Sequence, residues 1–247
     1  MKKNKIILLI VEGDSDETLF VPLLEHLTKD TNIRPMVMGG DPFADAKNSR
    51  KSSKAIVGEK ISEFLERNRL KGEDILYVAF VIDADGIYVP ESDFIIGKPS
   101  NKKNYEYNLR DKKIVVNNLS YLRKLNGTWT RKKEKLEPVI YDNMTSNIKN
   151  CKISYGIFFN SLTLEHVTQN EIIDDDKKTT VADELLDEWE DNLNGLLEIF
   201  MDKGIADSVH ESWKTLSAKK WYYPYSNINN LAERVTALVD ETGRSQF

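Results

Sequence analysis

Two unbroken apolar runs, residues 6–11 and residues 75–82, each stop on an acid: Glu12 after the first, Asp83 after the second. A run without polar alternation is the pattern of a strand covered on both faces, which belongs in a parallel sheet flanked by helices. Between the runs, residues 16–29 carry Leu19, Phe20, Leu23, Leu24 and Leu27 at helical spacing, with Asp14 or Ser15 as the cap. Residues 34–38 read as a short strand ending in Gly39-Gly40. Residues 52–69 read as a helix burying Ala55, Ile56, Ile61, Phe64 and Leu65. The order β-α-β-α-β predicts an α/β, Rossmann-like core with a central parallel sheet. In such sheets functional groups gather at the carboxyl ends of the strands, which is where Glu12 and Asp83 fall.

The remaining chain is less regular. Residues 98–135 hold 12 Lys/Arg against 3 Asp/Glu, with Tyr105, Tyr107, Tyr121 and Trp129 interspersed. The net charge of the whole chain is −5, so nucleic-acid binding has to use such a local patch or metal ions. Lysines neutralise phosphates and rings stack on bases, although a solvated helix-and-loop region has the same composition. Residues 153–159 read as a further strand. Residues 171–191 invert the balance, with 10 acids against 2 bases. Much of residues 182–202 and residues 228–239 reads as helix. The expected division is a catalytic core over 1–170, with the basic insertion at about 98–135, and a helical part over 171–247 packed on that core.

Some classes are disfavoured. Cys151 is the single cysteine, so neither an internal disulfide nor a cysteine zinc cluster forms, and a reducing cytoplasm fits. The apolar run after Met1-Lys2-Lys3-Asn4-Lys5 is too short for a leader and reads as a strand. No run approaches the roughly 20 residues of a membrane span. His26, His166 and His210 lack metal-ligand spacing, though His166 could orient a water beside Glu165.

Acids at the ends of neighbouring strands raise one another's pKa, and a divalent cation is the usual compensation. Oxygen ligands suit Mg²⁺ or Mn²⁺. The spacing Asp83-x-Asp85 places two carboxylates on one side of an extended chain end.

Ile10-Val11-Glu12-Gly13-Asp14-Ser15-Asp16 and Phe80-Val81-Ile82-Asp83-Ala84-Asp85 resemble the two signature motifs of the Toprim domain. That domain occurs in topoisomerases, bacterial primases, a ribosomal-RNA maturation nuclease and the "overcoming lysogenization defect" (OLD) nucleases. The resemblance covers roughly residues 5–90. It implies Mg²⁺-dependent phosphoryl transfer on nucleic acid, with Glu12, Asp83 and Asp85 as metal ligands. Phe158-Phe159-Asn160-Ser161-Leu162-Thr163-Leu164-Glu165 looks like the strand-then-T-L-E segment of the OLD branch. By that likeness Glu165 and Asp16 serve a second metal, and Lys219 or Lys220 is the late active-site lysine. Two ions clamping a phosphate would then drive hydrolysis.

The chain departs from the pattern at Ile87, where many members have a third aspartate. It also has no Gly-x-x-x-x-Gly-Lys-Ser/Thr loop, so an ATPase partner would be a separate chain. The resemblance makes anti-phage defence an expected setting. Oligomeric state is left open, a homodimer included. Two rivals stand beside the nuclease. Ile82-Asp83-Ala84-Asp85-Gly86 also resembles the nucleophile motif of haloacid-dehalogenase phosphatases, with Asp83 as nucleophile, but Glu12 would then have no role. The other rival is a non-catalytic partner protein.

Overall fold

The computed structural model describes residues 4–100 and 103–244; Met1 to Lys3, and Asn101 and Lys102 of the basic segment, lie outside them. Both apolar runs are central strands. β1 (Lys5–Val11) lies between β2 (Ile33–Gly39) and β3 (Ile75–Asp83), and β8 (Cys151–Asn160) lies beyond β3, all parallel. β7 (Met144–Ile148) closes the far edge antiparallel to β8. Residues 6–11 and 77–82 are buried throughout, which is why those segments carry no polar alternation. The mixed α/β, Rossmann-like core expected from the sequence is therefore present.

α1 (Asp14–Leu27) follows β1 and α2 (Ser53–Arg67) follows β2. Neither Asp14 nor Ser15 caps α1. Gly13 is the cap residue, and Asp16 reaches back so that its Oδ2 accepts the Gly13 N–H at 3.0 Å. A carboxylate in that first turn also meets the positive end of the helix dipole.

The basic segment adds a second, small sheet and a helix. β4 (Phe94–Ile96), β5 (Tyr105–Asn108) and β6 (Lys113–Val116) form a small sheet in the order β4-β6-β5, and α3 (Leu119–Leu136) follows. Tyr107 and Trp129 are buried, their rings stacked 6.4 Å apart. These rings are core, not a base-stacking surface.

After β8 come α4 (Leu164–Gln169), α5 (Lys178–Trp189), α6 (Leu193–Asp202), α7 (Val209–Ala218) and α8 (Ile228–Arg244). The helix expected over 182–202 is broken between Trp189 and Leu193, where Asn192 caps α6. Trp213 on α7 is fully buried, and its Nε1–H donates to Ile157 O of β8 at 2.9 Å. Asn227 Oδ1 accepts the Phe159 N–H at 2.7 Å. α5, α6 and α8 pack on α1. The C-terminal helices thus pack on the core.

Candidate active site

Strand register brings the first acids together. Val11 is level with Val81, and Asp83 with Asn160. Glu12 and Asp83 are therefore neighbours at the carboxyl edge, and the Asp83 N–H donates to Glu12 Oε2 at 3.3 Å. Asp16 stands one helical turn after Glu12 and is buried. Thr163 caps α4 by accepting the His166 N–H at 3.2 Å, which sets Glu165 in the first turn, 2% exposed.

These acids feel one another. Burial pushes Glu12 up to about 7; Lys132 opposes the rise, while Asp85, Asp41 and Asp16 add to it. Burial lifts Asp16 to about 6, against the Gly13 N–H, with Glu165 adding to the rise and Lys178 opposing it. Asp83 is held well above the usual carboxylate range by burial and then by Glu12, Asp16 and Asp85. The five acids named from the sequence as metal ligands are thus within electrostatic reach of one another, Glu165 through Asp16.

Asp85 reaches it differently than expected. The chain does not continue extended past Asp83: Asp85 has φ 51°, in the left-handed region, which Asp tolerates better than most residues. The Ala84 N–H donates to Asn160 O at 2.7 Å, which fixes the start of the turn. Asp85 Oδ2 then lies 2.8 Å from Lys132 Nζ.

Three charged contributors, Asp41, Lys132 and Lys178, were not read from the sequence as parts of the site. Gly40, at φ 105°, turns the chain after β2, and its N–H donates to Val11 O at 2.7 Å. Asp41 follows, buried, its Oδ1 accepting the Phe43 N–H at 2.7 Å. Lys132 Nζ lies 2.8 Å from Asp41 Oδ2 and 3.6 Å from Glu12 Oε2, and donates to Asp83 O at 2.6 Å. Burial opposes its charge, but Asp41, Asp85 and Glu12 hold the ammonium well above its ordinary range. A signal did exist: Lys132 falls on the helical stripe of Leu125, Trp129 and Leu136, a lysine at a core position. Lys178, at the start of α5, is the third. Its Nζ is 3.9 Å from Glu165 Oε2 and 3.7 Å from Asp175 Oδ1. Burial lowers its pKa, yet Asp83, Glu165, Asp175 and Asp16 raise it more.

Lys219 and Lys220 are exposed and, among the described residues, make no ion pair with these acids. Lys219 Nζ stands 5.8 Å from the centre of the Tyr225 ring. His166 is fully buried, its ring driven down to about 4 by burial and therefore neutral near pH 7, with Nδ1 3.4 Å from Ser161 Oγ.

A cavity of about 290 Å³ opens onto Glu12, Asp83, Asp85 and Lys178, walled by Tyr105 and Tyr107. Across its mouth Lys103 pairs with Asp175 at 2.8 Å. Several cations of the basic segment are used internally: Lys132 in the acid cluster, Lys113 on Asp93 at 3.1 Å, Lys112 over Tyr222 and Lys133 over Tyr88. Lys98, Arg110, Arg123 and Arg131 remain exposed.

The site is short of positive charge. Asp83 Oδ1 and both carboxylate oxygens of Glu165 are buried without a hydrogen-bond partner among the described residues. Buried acceptors in that state are costly unless a donor or cation meets them. A divalent ion with oxygen ligands suits these groups chemically. As the side chains stand, however, no three His, Cys, Asp or Glu groups among the described residues are spaced to grip one ion; the cations in the cluster are the two lysines. No helix of the described chain is long and apolar enough to cross a membrane. No family model, curated protein or solved structure matches the chain.

Proposed function

We propose that this chain is a divalent-metal-dependent nuclease that hydrolyses phosphodiester bonds of DNA or RNA. The observation that carries the reading is the convergence of Glu12, Asp16, Asp83, Asp85 and Glu165, with buried oxygens on Asp83 and Glu165 that meet no hydrogen-bond partner among the described residues. Five acids from separate elements are held together only at a large electrostatic cost. Fixed negative charge of this kind is useful where a cation and a phosphate are bound together.

The metal would be Mg²⁺ or Mn²⁺, held by residues drawn from these five. Once bound, such an ion supplies an activated water and offsets charge on the phosphate. The chain's own groups do the rest. Asp83 and Glu12 fix the position at the strand ends. Lys178 is partly exposed and lines the cavity, a cation able to face a phosphate oxygen. Tyr105 and Tyr107 wall the cavity and keep water down. The Toprim resemblance supports the same reading, and it suggests service in anti-phage defence with a separate ATPase chain. The phosphatase alternative is less economical, because it leaves the convergence of Glu12, Asp16 and Glu165 on Asp83 without purpose.

The test is cleavage of plasmid DNA and structured RNA by wild type and Glu12→Ala, with and without Mn²⁺. Metal-dependent cutting by wild type, reduced on the order of 100-fold or more in the variant, is expected. Equal cutting by both proteins overturns the assignment. So does metal-dependent hydrolysis of p-nitrophenyl phosphate through a phosphorylated Asp83 with nucleic acid left intact.

A further inference from the structure

We infer that the Lys132 ammonium permanently occupies one of the two cation positions such a site would offer, so that the chain binds a single divalent ion, on the side of Asp16, Asp83 and Glu165. This rests on the metal-dependent reading above and deepens it.

The first ground is how Lys132 is held. Its Nζ faces four oxygens from the turns after three strands: Asp41 Oδ2 and Asp85 Oδ2 at 2.8 Å each, Glu12 Oε2 at 3.6 Å and Asp83 O at 2.6 Å. Convergence of carboxylate and carbonyl oxygens from several loops is the way a protein surrounds a metal ion. Here the centre is already filled by a charge covalently attached to α3.

The second ground is that this charge has little room to leave. The Lys132 side chain is 1% exposed. Its helix is anchored one turn away by Trp129, packed so closely over Gly86 that a Cβ at residue 86 would come within 2.2 Å of the indole ring. Withdrawing the ammonium means moving the helix or burying the amine elsewhere without partners, which is costly.

The third ground is the asymmetry between the two sides. Asp41 Oδ2 is buried without an aligned hydrogen bond among the described residues, but it and Asp85 Oδ2 each have the Lys132 ammonium at 2.8 Å. On the other side, Asp83 Oδ1 and both Glu165 oxygens are buried and without hydrogen bonds among the described residues, and Asp83 lines the cavity. The cation beside Glu165 is Lys178, on the first turn of α5, its side chain 25% exposed and its Nζ 3.9 Å from Glu165 Oε2. An incoming ion therefore meets unpartnered oxygens and a partly exposed lysine on one side, and oxygens already paired with a buried ammonium on the other.

The experiment counts Mn²⁺ bound to the full chain, by titration calorimetry and by the loss of the free-Mn²⁺ paramagnetic signal, for wild type and Lys132→Met. One ion in wild type and two in the variant are expected, since removing the ammonium leaves Asp41, Asp85 and Glu12 open. If the methionine variant does not fold, Asp16→Asn and Asp85→Asn decide in its place. The first should weaken Mn²⁺ binding by about tenfold or more and the second by less than about threefold. Two ions bound to wild type, one ion bound to a folded methionine variant, or equal losses in the two asparagine variants would each overturn the inference while leaving metal dependence intact. Wild type that binds no Mn²⁺ overturns the metal-dependent reading itself.

Discussion

Replacing Asp16 by asparagine should stabilise the metal-free protein, and only where the native carboxylate would be charged. Asp16 is 5% exposed, and its pKa is raised from 3.8 to about 6 by burial, with Glu165 adding to the rise. A carboxyl whose folded pKa lies above its unfolded value binds its proton more tightly when folded, so ionising it costs stability. Below about pH 4 both states are protonated and nothing is lost. The cost builds between about pH 4 and about pH 6 and is complete above that. At about 1.4 kcal/mol per pH unit it amounts to about 3 kcal/mol. Asparagine keeps the volume and an oxygen able to accept the Gly13 N–H, so the substitution removes the charge with little change in packing. For a chain of this size the gain corresponds to about 6–12 °C in Tm. The assay is thermal unfolding of both proteins in a chelator at intervals from about pH 4 to about pH 8. The difference should be near zero at the acid end and largest at the alkaline end. Saturating Mn²⁺ should shrink or reverse it, because the ion stabilises wild type by binding the folded state. An Asp16→Asn protein that is less stable than wild type at pH 8, or equally stabilised at both ends, would refute the claim that buried negative charge strains this site.

Other consequences can be measured independently. Mn²⁺ affinity should fall as pH drops below about 7, because Glu12 and Asp16, raised to about 7 and about 6, hold protons that the metal must displace; calorimetry across that range would show it, and a flat profile would count against both residues as ligands. Gly86→Ala should destabilise the fold by about 1–3 kcal/mol or more, since its Cβ has no room beside Trp129, read as a lowered denaturant midpoint. Trp213→Ala should cost about 3–5 kcal/mol by emptying a fully buried site and freeing Ile157 O, unfolding helices and sheet in one transition. Asp175→Asn should change stability by less than about 1 kcal/mol, because its pair with Lys103 is exposed at the surface, while altering the Michaelis constant for a substrate that must pass the mouth.

Strands β1, β2, β3 and β8, the parallel character of the core and the positions of Glu12 and Asp83 were legible in the sequence, while Glu165 and Asp16 were named through the family likeness. Burial on both faces leaves an unbroken apolar run, and the residue after such a run has to sit at the sheet's edge. Other features were invisible for a physical reason. β4, β5 and β6 are three or four residues long, too short for periodicity to register, and their pairing is made of contacts distant along the chain. The basic tract looked like a surface because composition does not record partners. Folding spent Lys132 on Asp41, Asp85 and Glu12, residues 47 to 120 positions away in the chain. The left-handed turn at Asp85 likewise depends on Asn160 across the sheet. Local pattern determined which acids reach the edge; only the packing of α3 against the strand ends decided which of them already have a cation and which still lack one.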